Sequence, residues 1–287
     1  MQYPETELVL NKEGQVYHLG LSPHQISDRI ILVGDQDRVA LVASFFESVE
    51  HTSQHREFVT KTGIYQGKRI TVLSTGIGTD NIDIVMNEID ALANIQLDKR
   101  EDATSFKSLK FVRIGTCGIL QPTIPLHSYI LSSHACGLDN VAHFYEVAFS
   151  ADEQMINKEI HEHIQLPAQI QTYVSKASES LFNQLTSEKT VEGITITSSG
   201  FYGPQGRQLR LKTKTTSLNN KITSFKSGSN RIVNFEMESS ALFSLGKALG
   251  HECATICLGI ANRPNKEFSK DYSQHMLGLI KYVLDRI

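Results

Sequence analysis

Residues 28–42 read DRIILVGDQDRVALV, an apolar run followed by a glycine turn and an amphipathic segment. The run at 28–34 predicts a buried strand, and the segment 36–49 has helical periodicity. Apolar runs and amphipathic segments continue to alternate as far as the C-terminus. This alternation is typical of a three-layer α/β/α domain with a largely parallel core. We therefore predict one such domain over residues 1–287, a length that is ample for a full hydrophobic core.

The rest of the chain also divides into predicted strands, helices and polar stretches. Further strands are predicted at 57–66, 68–74, 108–115, 128–135, 191–199 and 253–261. Further helices are predicted at 81–95, with a start near Ile82, and at 169–185, 237–250 and 272–287. The polar stretch from Asn140 to Pro167 fits either a helical insertion or a mobile flap. The stretch 212–230 is basic and has too few apolar residues to form a domain of its own.

The composition excludes several classes of protein. Lys plus Arg number 28 and Asp plus Glu number 31, which gives a formal net charge of −3. A charge so close to zero argues against a protein that coats nucleic acid or an anionic membrane. The four cysteines are too few for a disulfide scaffold, so we expect reduced and buried thiols. The N-terminus has no pattern of a secretory signal, and we expect a cytoplasmic protein.

Four polar turns are predicted directly after buried strands, at the edge of the sheet where ligands bind in α/β folds. The first contains Gly34 and Arg38, which offer a close backbone approach and a guanidinium to an anion. Taken alone, an ordinary turn with a surface arginine is the simpler interpretation. The second, STGIGTDN at 74–81, lacks the third glycine of a dinucleotide fingerprint and predicts only a tight turn.

The third turn, VRIGTCG at 112–118, carries an arginine inside an apolar strand. A buried arginine is costly unless it meets an anion or a carboxylate. Arg113 therefore either binds an anionic ligand or forms an internal ion pair with Glu236 or Glu238. Thr116 follows between two glycines and offers a hydroxyl at the predicted end of the strand.

The fourth turn, NFEMES at 234–239, brackets a methionine with two carboxylates just before a predicted helix. Paired acids fit a glycosidase, in which one carboxyl is the acid and the other the base or nucleophile. Glu238 also fits a helix cap or a site for vicinal hydroxyls. The spacing alone does not choose between these interpretations.

Two further stretches carry arginines. SQHREF contains His55 and Arg56, and FYGPQGR contains Phe201, Gln205 and Arg207. An aromatic face, an amide and a guanidinium within seven residues can stack on a planar heterocycle and bond its edge. As an isolated motif, FYGPQGR is more often a surface loop.

Eight segments in this order resemble the nucleoside phosphorylase family, and within it the uridine phosphorylases. The segments are YHLGLS (17–22), GDQDRV (34–39), SQHREF (53–58), STGIG (74–78), RIGTCG (113–118), FYGPQGR (201–207), NFEMES (234–239) and GIANR (259–263). They span most of the chain, and FYGPQGR with NFEMES is the most specific pair. The resemblance implies a single α/β domain with a mixed, partly barrel-like central sheet. It also implies phosphorolysis of uridine to uracil and ribose 1-phosphate.

The resemblance implies a role for each matching residue. Phosphate would be bound by Gly34, Arg38, Arg56, Arg113 and Thr116. Ribose would be bound by His18, Met237 and Glu238. The base would be bound by Phe201, Gln205, Arg207 and Ile260. His18 and Arg56 would reach the site from a neighbouring subunit, so a homo-oligomer with shared active sites is expected and a dimer is the smallest active unit.

Inorganic phosphate is the implied co-substrate, and the resemblance implies no required cofactor and no nucleic-acid or membrane partner. Some relatives bind a monovalent cation at the dimer interface. The positions that match this site are Glu57, Ile77 and Asn81, which makes K⁺ a candidate ligand. Asn81 replaces the usual serine.

Purine-cleaving relatives typically carry an aspartate after the late buried strand, where it reads purine N7. This chain has Asn262 and Arg263 there, which favours a pyrimidine. Cys117 stands where many bacterial uridine phosphorylases have threonine. The alternative is a purine nucleoside phosphorylase or a nucleosidase of the same fold.

Overall fold

The computed structural model describes residues 2–215 and 217–287, and its elements are numbered in chain order. The strands are β1 (Arg29–Val33), β2 (Ser48–His55), β3 (Phe58–Tyr65), β4 (Lys68–Ser74), β5 (Ile95–Gln96), β6 (Glu101–Asp102), β7 (Lys110–Ile119), β8 (Tyr129–Gly137), β9 (Tyr173–Lys176), β10 (Thr190–Thr197), β11 (Lys226–Ser227), β12 (Asn230–Glu236), β13 (Glu252–Asn262) and β14 (Glu267–Phe268). The helices are α1 (Gln36–Ala43), α2 (Thr79–Asn94), α3 (Ala151–Ile164), α4 (Glu179–Leu185), α5 (Leu218–Ser224), α6 (Ser239–Leu249) and α7 (Ser273–Leu284).

One mixed sheet dominates the structure, with strands in the order β11-β12-β10-β8-β13-β7-β1-β4-β3-β2. β1 runs parallel to β4 and β7, whereas β8 and β13 are antiparallel. An additional pairing joins β12 to β7, where Phe235 lies opposite Gly118. This pairing closes β7, β13, β8, β10 and β12 into a ring of five strands. The predicted α/β class with a mixed, partly barrel-like sheet is confirmed.

Helices cover both faces of the sheet. Successive residues of β1 point to opposite faces, so they pack against different helices. Ile30 and Leu32 pack in a cluster with α2 and α6. Ile31 and Val33 pack in a second cluster with α1 and α7. The predicted three layers therefore have one apolar core on each side of the sheet. None of the helices within the described ranges combines the length and apolar character needed to cross a membrane.

The helix predicted at 169–185 is wrong in its first half. The structure has strand β9 at Tyr173–Lys176 and then the short helix α4. β9 pairs antiparallel with β8, so that Cys136 lies opposite Val174. The partner strand lies far away in sequence, and pairing with it outweighs the local helical periodicity.

Several boundaries also differ from the predicted ones. Helix α1 ends at Ala43 rather than near residue 49, and the exposed strand β2 begins at Ser48. Helix α2 begins at Thr79, three residues before the predicted start near Ile82. The stretch from Asn140 to Pro167, left open between a helix and a flap, contains helix α3. Its N-terminus has a reciprocal capping box between Ser150 and Glu153.

The segment VRIGTCG is not a turn. Strand β7 continues through it to Ile119, because residues 116–119 pair with β13 and the last two of them also with β12. Thr116 therefore lies inside a strand and not at its end, as had been predicted. Instead of a polar turn, the structure has one long strand here. Its first half belongs to the parallel part of the sheet, beside β1, and its second half belongs to the closed ring, beside β12.

Candidate functional site

A cavity of about 840 Å³ opens at the carboxyl ends of the central strands. Of the predicted site residues, the following line it: Gly34, Arg38, Glu57, Ile77, Asn81, Arg113, Thr116, Phe201, Gln205, Arg207, Met237, Glu238 and Ile260. His18 and Arg56 lie outside it. The four segments predicted as turns and the FYGPQGR stretch therefore converge on one site, although Gly34 and Ile260 lie 226 positions apart in the sequence.

Two neighbouring guanidinium groups line the cavity. Arg38 extends from the first turn of α1, and Arg113 rises from the middle of β7. Burial lowers the pKa of Arg38, and the nearby Arg113 cation lowers it further. The chain as a whole is slightly acidic, so an anion bound here would depend on these two placed guanidinium groups and not on the net charge of the protein. Thr116 adds a hydroxyl, and the backbone at Gly34 adds an approach with no side chain in the way.

Arg113 is also a member of a buried ion-pair cluster. Its Nη2 donates to Glu238 Oε2, and its Nη1 lies 3.4 Å from Glu236 Oε2. Burial acts to lower the pKa of Arg113, but the Glu238 and Glu236 carboxylates outweigh it and raise the pKa. The internal ion pair that the sequence left open is therefore formed with both acids. Arg113 still lines the cavity, so the pair does not remove it from the site.

Glu238 is held from two sides. Oε1 accepts from the N–H of Gly78 at 2.8 Å, and Oε2 accepts from Arg113. Each carboxylate oxygen has two lone pairs, so both oxygens keep acceptor capacity for ligand hydroxyls. Burial raises the pKa of Glu238, and the Glu236 carboxylate adds to this in spite of Arg113.

Glu236 orders the turn that carries Met237 and Glu238. Its Oε2 accepts from the N–H groups of Glu238 at 2.9 Å and Ser239 at 3.0 Å, at the start of α6. Its Oε1 accepts from Thr197 Oγ1 at 2.5 Å. The helix cap expected of the fourth turn is thus supplied by Glu236 rather than by the side chain of Glu238.

A second part of the cavity lining comes from the FYGPQGR stretch. Gln205 is buried, and its Oε1 accepts from Arg207 Nη1, which also donates to the Phe201 carbonyl at 2.8 Å. The Arg207 guanidinium carbon lies 3.8 Å from the centroid of the Phe201 ring. Burial lowers the pKa of Arg207. Gln205 and Arg207 thus offer an amide and a guanidinium, with donors and an acceptor, next to the Phe201 ring.

Arg263 lies beside Gln205 and Arg207, and the sequence predicted no contact between it and the site. Its Nη1 donates to the main-chain oxygen of Gln205 at 2.5 Å, and its guanidinium lies over the Phe235 ring at 5.4 Å. Burial and the neighbouring Arg207 cation lower the pKa of Arg263 to about 10. The only signal for it in the sequence was its place at the end of GIANR.

His18 and Arg56 form a separate group at the surface. His18 Nδ1 lies 2.6 Å from Glu88 Oε1, and the Arg56 guanidinium stacks 5.3 Å from the Tyr17 ring. His55 Nδ1 lies 2.7 Å from the His18 carbonyl oxygen, which joins the two segments. None of these residues lines the cavity of its own chain.

Glu57, Ile77 and Asn81 meet at the turn after β4. The side chains of Asn81 and Glu57 both pack against Gly76. A Cβ added at Gly76 would lie 2.5 Å from Asn81 Nδ2 and 3.6 Å from Glu57 Cγ. Within the described residues, no three His, Cys, Asp or Glu side chains are grouped so that they could hold a metal ion.

Cys117 also lines the cavity. Burial, with a contribution from Cys257, raises the pKa of its thiol well above the ordinary value. A thiol in this environment is protonated at neutral pH and is a poor nucleophile. All four cysteines are free and buried, as predicted.

The sequence and the structure were compared with known proteins. The sequence profile of the family described as "Phosphorylase superfamily" matches residues 28–285. The chain is similar to a uridine phosphorylase of Thermococcus kodakarensis, with 28% identity over 274 residues, 93% of this chain and 83% of that protein. It is also similar to a uridine phosphorylase of Escherichia coli, with 26% identity over 93% of this chain and 96% of that one. Among solved structures, a Trypanosoma brucei nucleoside phosphorylase described as showing uridine phosphorylase activity superposes with a TM-score of 0.90, at 30% identity and over 98% of this chain and 99% of that one.

Proposed function

The chain belongs to the phosphorylase superfamily, and on this premise we propose that it is a pentosyltransferase that cleaves uridine with inorganic phosphate, reversibly, to uracil and ribose 1-phosphate. One observation carries the proposal. A single cavity is lined by the neighbouring guanidinium groups of Arg38 and Arg113, by the Glu238 carboxylate with its free acceptor capacity, and by the amide–guanidinium–aromatic group of Gln205, Arg207 and Phe201. These three parts match a phosphate, a sugar diol and a planar base.

The chemistry of the reaction explains why such a cavity suffices. Breaking the glycosidic bond builds positive charge on the ribose and negative charge on the departing uracil. An anion held beneath the sugar stabilises the first charge, and preorganised donors at the base stabilise the second. A donor of this kind contributes roughly 3–4 kcal/mol to the transition state. Binding the three groups in line supplies much of the remaining rate through proximity.

In the proposed complex the phosphate lies against Arg38, Arg113, Thr116 and the backbone of Gly34. Arg38 is the stronger anion ligand of the two arginines, because Arg113 is already paired with carboxylates. The negative charge of a phosphate next to Arg38 would also offset the burial and the Arg113 repulsion that lower the pKa of that arginine.

The ribose in this proposal is held by Glu238 and Met237. Glu238 accepts from the 2′- and 3′-hydroxyls with the lone pairs that Gly78 and Arg113 leave free. Met237 offers its backbone and an apolar side chain to the sugar face. Because Glu236 bonds the first N–H groups of α6, the turn is fixed before the substrate arrives.

The uracil edge is matched by Gln205 and Arg207. The Gln205 amide accepts from uracil N3–H and donates to a ring carbonyl, and Arg207 donates to a second carbonyl on which negative charge develops. Phe201 and Ile260 supply apolar contact to the ring. A pyrimidine is favoured over a purine because Asn262 is not available to the base: its Nδ2 donates to the carbonyls of Ile124 at 2.8 Å and Gln121 at 3.3 Å.

We propose further that two copies of the chain share their active sites. His18 and Arg56 lie together outside their own cavity, which supports the idea that they complete the ribose and phosphate sites of a neighbouring subunit. The same interface is proposed to hold K⁺. The oxygen donors would be the Glu57 carboxylate, the Asn81 amide oxygen and the Ile77 carbonyl, since a hard cation prefers oxygen ligands. Bound there, K⁺ would supply positive charge that steadies this interface.

The protein is proposed to work in nucleoside salvage in the cytoplasm. Four buried free thiols fit a reducing compartment. Uracil and ribose 1-phosphate released by the reaction are both reusable products, and the reaction is reversible.

The test is a panel of uridine, thymidine, inosine and adenosine, each with and without phosphate. We expect uridine to be cleaved and cleavage to require phosphate, with ribose 1-phosphate as the sugar product. Cleavage without phosphate would instead identify a nucleosidase, and a preference for inosine a purine phosphorylase.

A further inference from the structure

We propose that Asn219, near the start of α5, is a positioning residue that fixes the base-reading Gln205 through its main chain. The inference rests on the proposed function, because it assigns a role within the uracil site. Asn219 does not line the cavity itself, and no motif in the sequence marks it.

The contacts of Asn219 form a clamp on one carbonyl group. With its amide oriented so that both ends are bonded, Asn219 donates to the Gln205 carbonyl at 3.1 Å and accepts from Arg263 Nη2 at 3.0 Å. Arg263 Nη1 donates to the same Gln205 carbonyl at 2.5 Å. The three groups therefore close a triangle in which each is bonded to the other two.

Close packing confirms that Asn219 is seated against this turn. A Cβ added at Gly206 would lie only 2.9 Å from the Asn219 amide atoms. Gly206 has a φ of +65°, a conformation that glycine adopts without strain. The glycine thus brings the turn close enough for Asn219 to reach the main chain of Gln205.

Helix α5 keeps Asn219 in a fixed position, because the other face of the helix is buried. Leu218 and Ile222 are 5% and 0% exposed and pack in an apolar cluster with Phe225, at the end of α5, and Ile232 of β12. Leu218 and Ile222 therefore anchor the helical turn that carries Asn219 to the sheet.

The loop that carries Gln205 has little packing of its own. Its apolar side chains Tyr202, Leu209 and Leu211 are 54%, 73% and 87% exposed. Without an external tether, such a loop samples many conformations. Holding Gln205 to α5 and Arg263 thus keeps the amide ordered for the base before uridine binds.

The experiment compares Asn219→Ala and Asn219→Asp with Asn220→Ala and Asn220→Asp. Asn220 is the exposed next residue of the same helix, so each control has the same change in helix propensity or charge. Steady-state kinetics would give kcat and the KM values for uridine and phosphate. Calorimetric titration would give the Kd of uracil, and thermal unfolding would report the stability of each variant.

We expect Asn219→Ala to raise the uridine KM and the uracil Kd roughly tenfold, the effect of losing bonds to a charged and a neutral partner. The phosphate KM should stay within about twofold, because the phosphate end shares no contact with the clamp. Asn219→Asp keeps the acceptor for Arg263 but turns an oxygen toward the Gln205 carbonyl, so it should not restore binding. Both Asn220 variants should match the wild type.

Three results would overturn the inference. The first is an unchanged uridine KM in Asn219→Ala, and the second is wild-type behaviour of Asn219→Asp. The third is a parallel loss of phosphate and uridine affinity together with a lower melting temperature, because that result indicates a purely structural role. A wild-type protein that does not cleave uridine with phosphate overturns the proposed function itself. The two failures are therefore separate.

Discussion

The Arg113 guanidinium donates directly to the Glu238 carboxylate on the floor of the cavity, and the two side chains are 5% and 3% exposed. The cation proposed for phosphate and the anion proposed for ribose are thus bonded to each other. Glu236 adds a second carboxylate to the same guanidinium. As a result, the two arginines at the phosphate end should respond differently to substitution.

Arg113→Ala should strongly destabilise the protein, because it leaves two buried carboxylates without their cation. Removing one partner of a buried ion pair typically costs about 3–5 kcal/mol. Urea unfolding at pH 7 would measure the loss, and Arg113→Lys should lose less because it keeps the charge. Where the variant stays folded, its phosphate KM should also rise. An unchanged unfolding midpoint would contradict the ion pair, and an unchanged phosphate dependence would contradict the role of Arg113 in the phosphate site.

Arg38→Ala should weaken phosphate saturation without this loss of stability. Arg38 lies next to another cation, and burial already disfavours its charge. Removing a charge-assisted bond to phosphate should raise the phosphate KM by roughly tenfold or more. Arg29→Ala, on a half-buried side chain at the other end of β1, is the control. Equal effects of the two substitutions would argue against a phosphate site at Arg38.

Arg207→Ala should cripple uridine cleavage and leave phosphate binding nearly intact. The side chain faces the base end, where negative charge develops, so its loss should lower kcat/KM for uridine by about 100- to 1000-fold. The phosphate KM should change little. Arg210→Ala, on an exposed residue of the same loop, should behave as the wild type. A mild effect at Arg207 would show that another group stabilises the leaving base.

Glu153→Gln tests a part of the structure away from the cavity. Glu153 is 1% exposed, and its carboxylate accepts from Ser150 N–H, Lys176 N–H and Lys247 Nζ. Burial acts to raise the pKa of Glu153, but the bonds to Lys247 and the backbone outweigh it and lower the pKa below the ordinary 4.5. The substitution should cost about 1–3 kcal/mol at pH 7.

The pH dependence of this difference follows from the direction of the shift. A carboxyl whose pKa is lower in the folded protein stabilises it above the unfolded pKa, and that contribution is lost as the pH falls through the folded pKa. The gap between wild type and Glu153→Gln in urea unfolding should therefore be full at pH 7 and shrink below about pH 4.5. Glu162→Gln, an exposed acid on the same helix, should show no such gap. A gap that widened in acid would give the shift the opposite sign.

The sequence by itself determined the layered α/β class, most strands and helices, and most of the site residues that line the cavity, with His18 and Arg56 as the exceptions. Apolar periodicity and turn residues are local properties, so they can be read along the chain. The alternation after Asp28 and the eight motif segments needed no knowledge of contacts. The same local rules failed at β9, where periodicity predicted a helix and a partner strand 30 or more residues away decided otherwise.

Only the tertiary structure decided how those residues are used. Arg113 and Glu238 lie 125 residues apart, and Asn219 lies 14 residues beyond Gln205 across a loop, yet each contact sets the role of its partners. Whether a buried arginine meets a ligand or a carboxylate depends on sheet register and on the closure of β12 against β7. Such pairings are fixed by long-range packing, which periodicity along one chain does not encode.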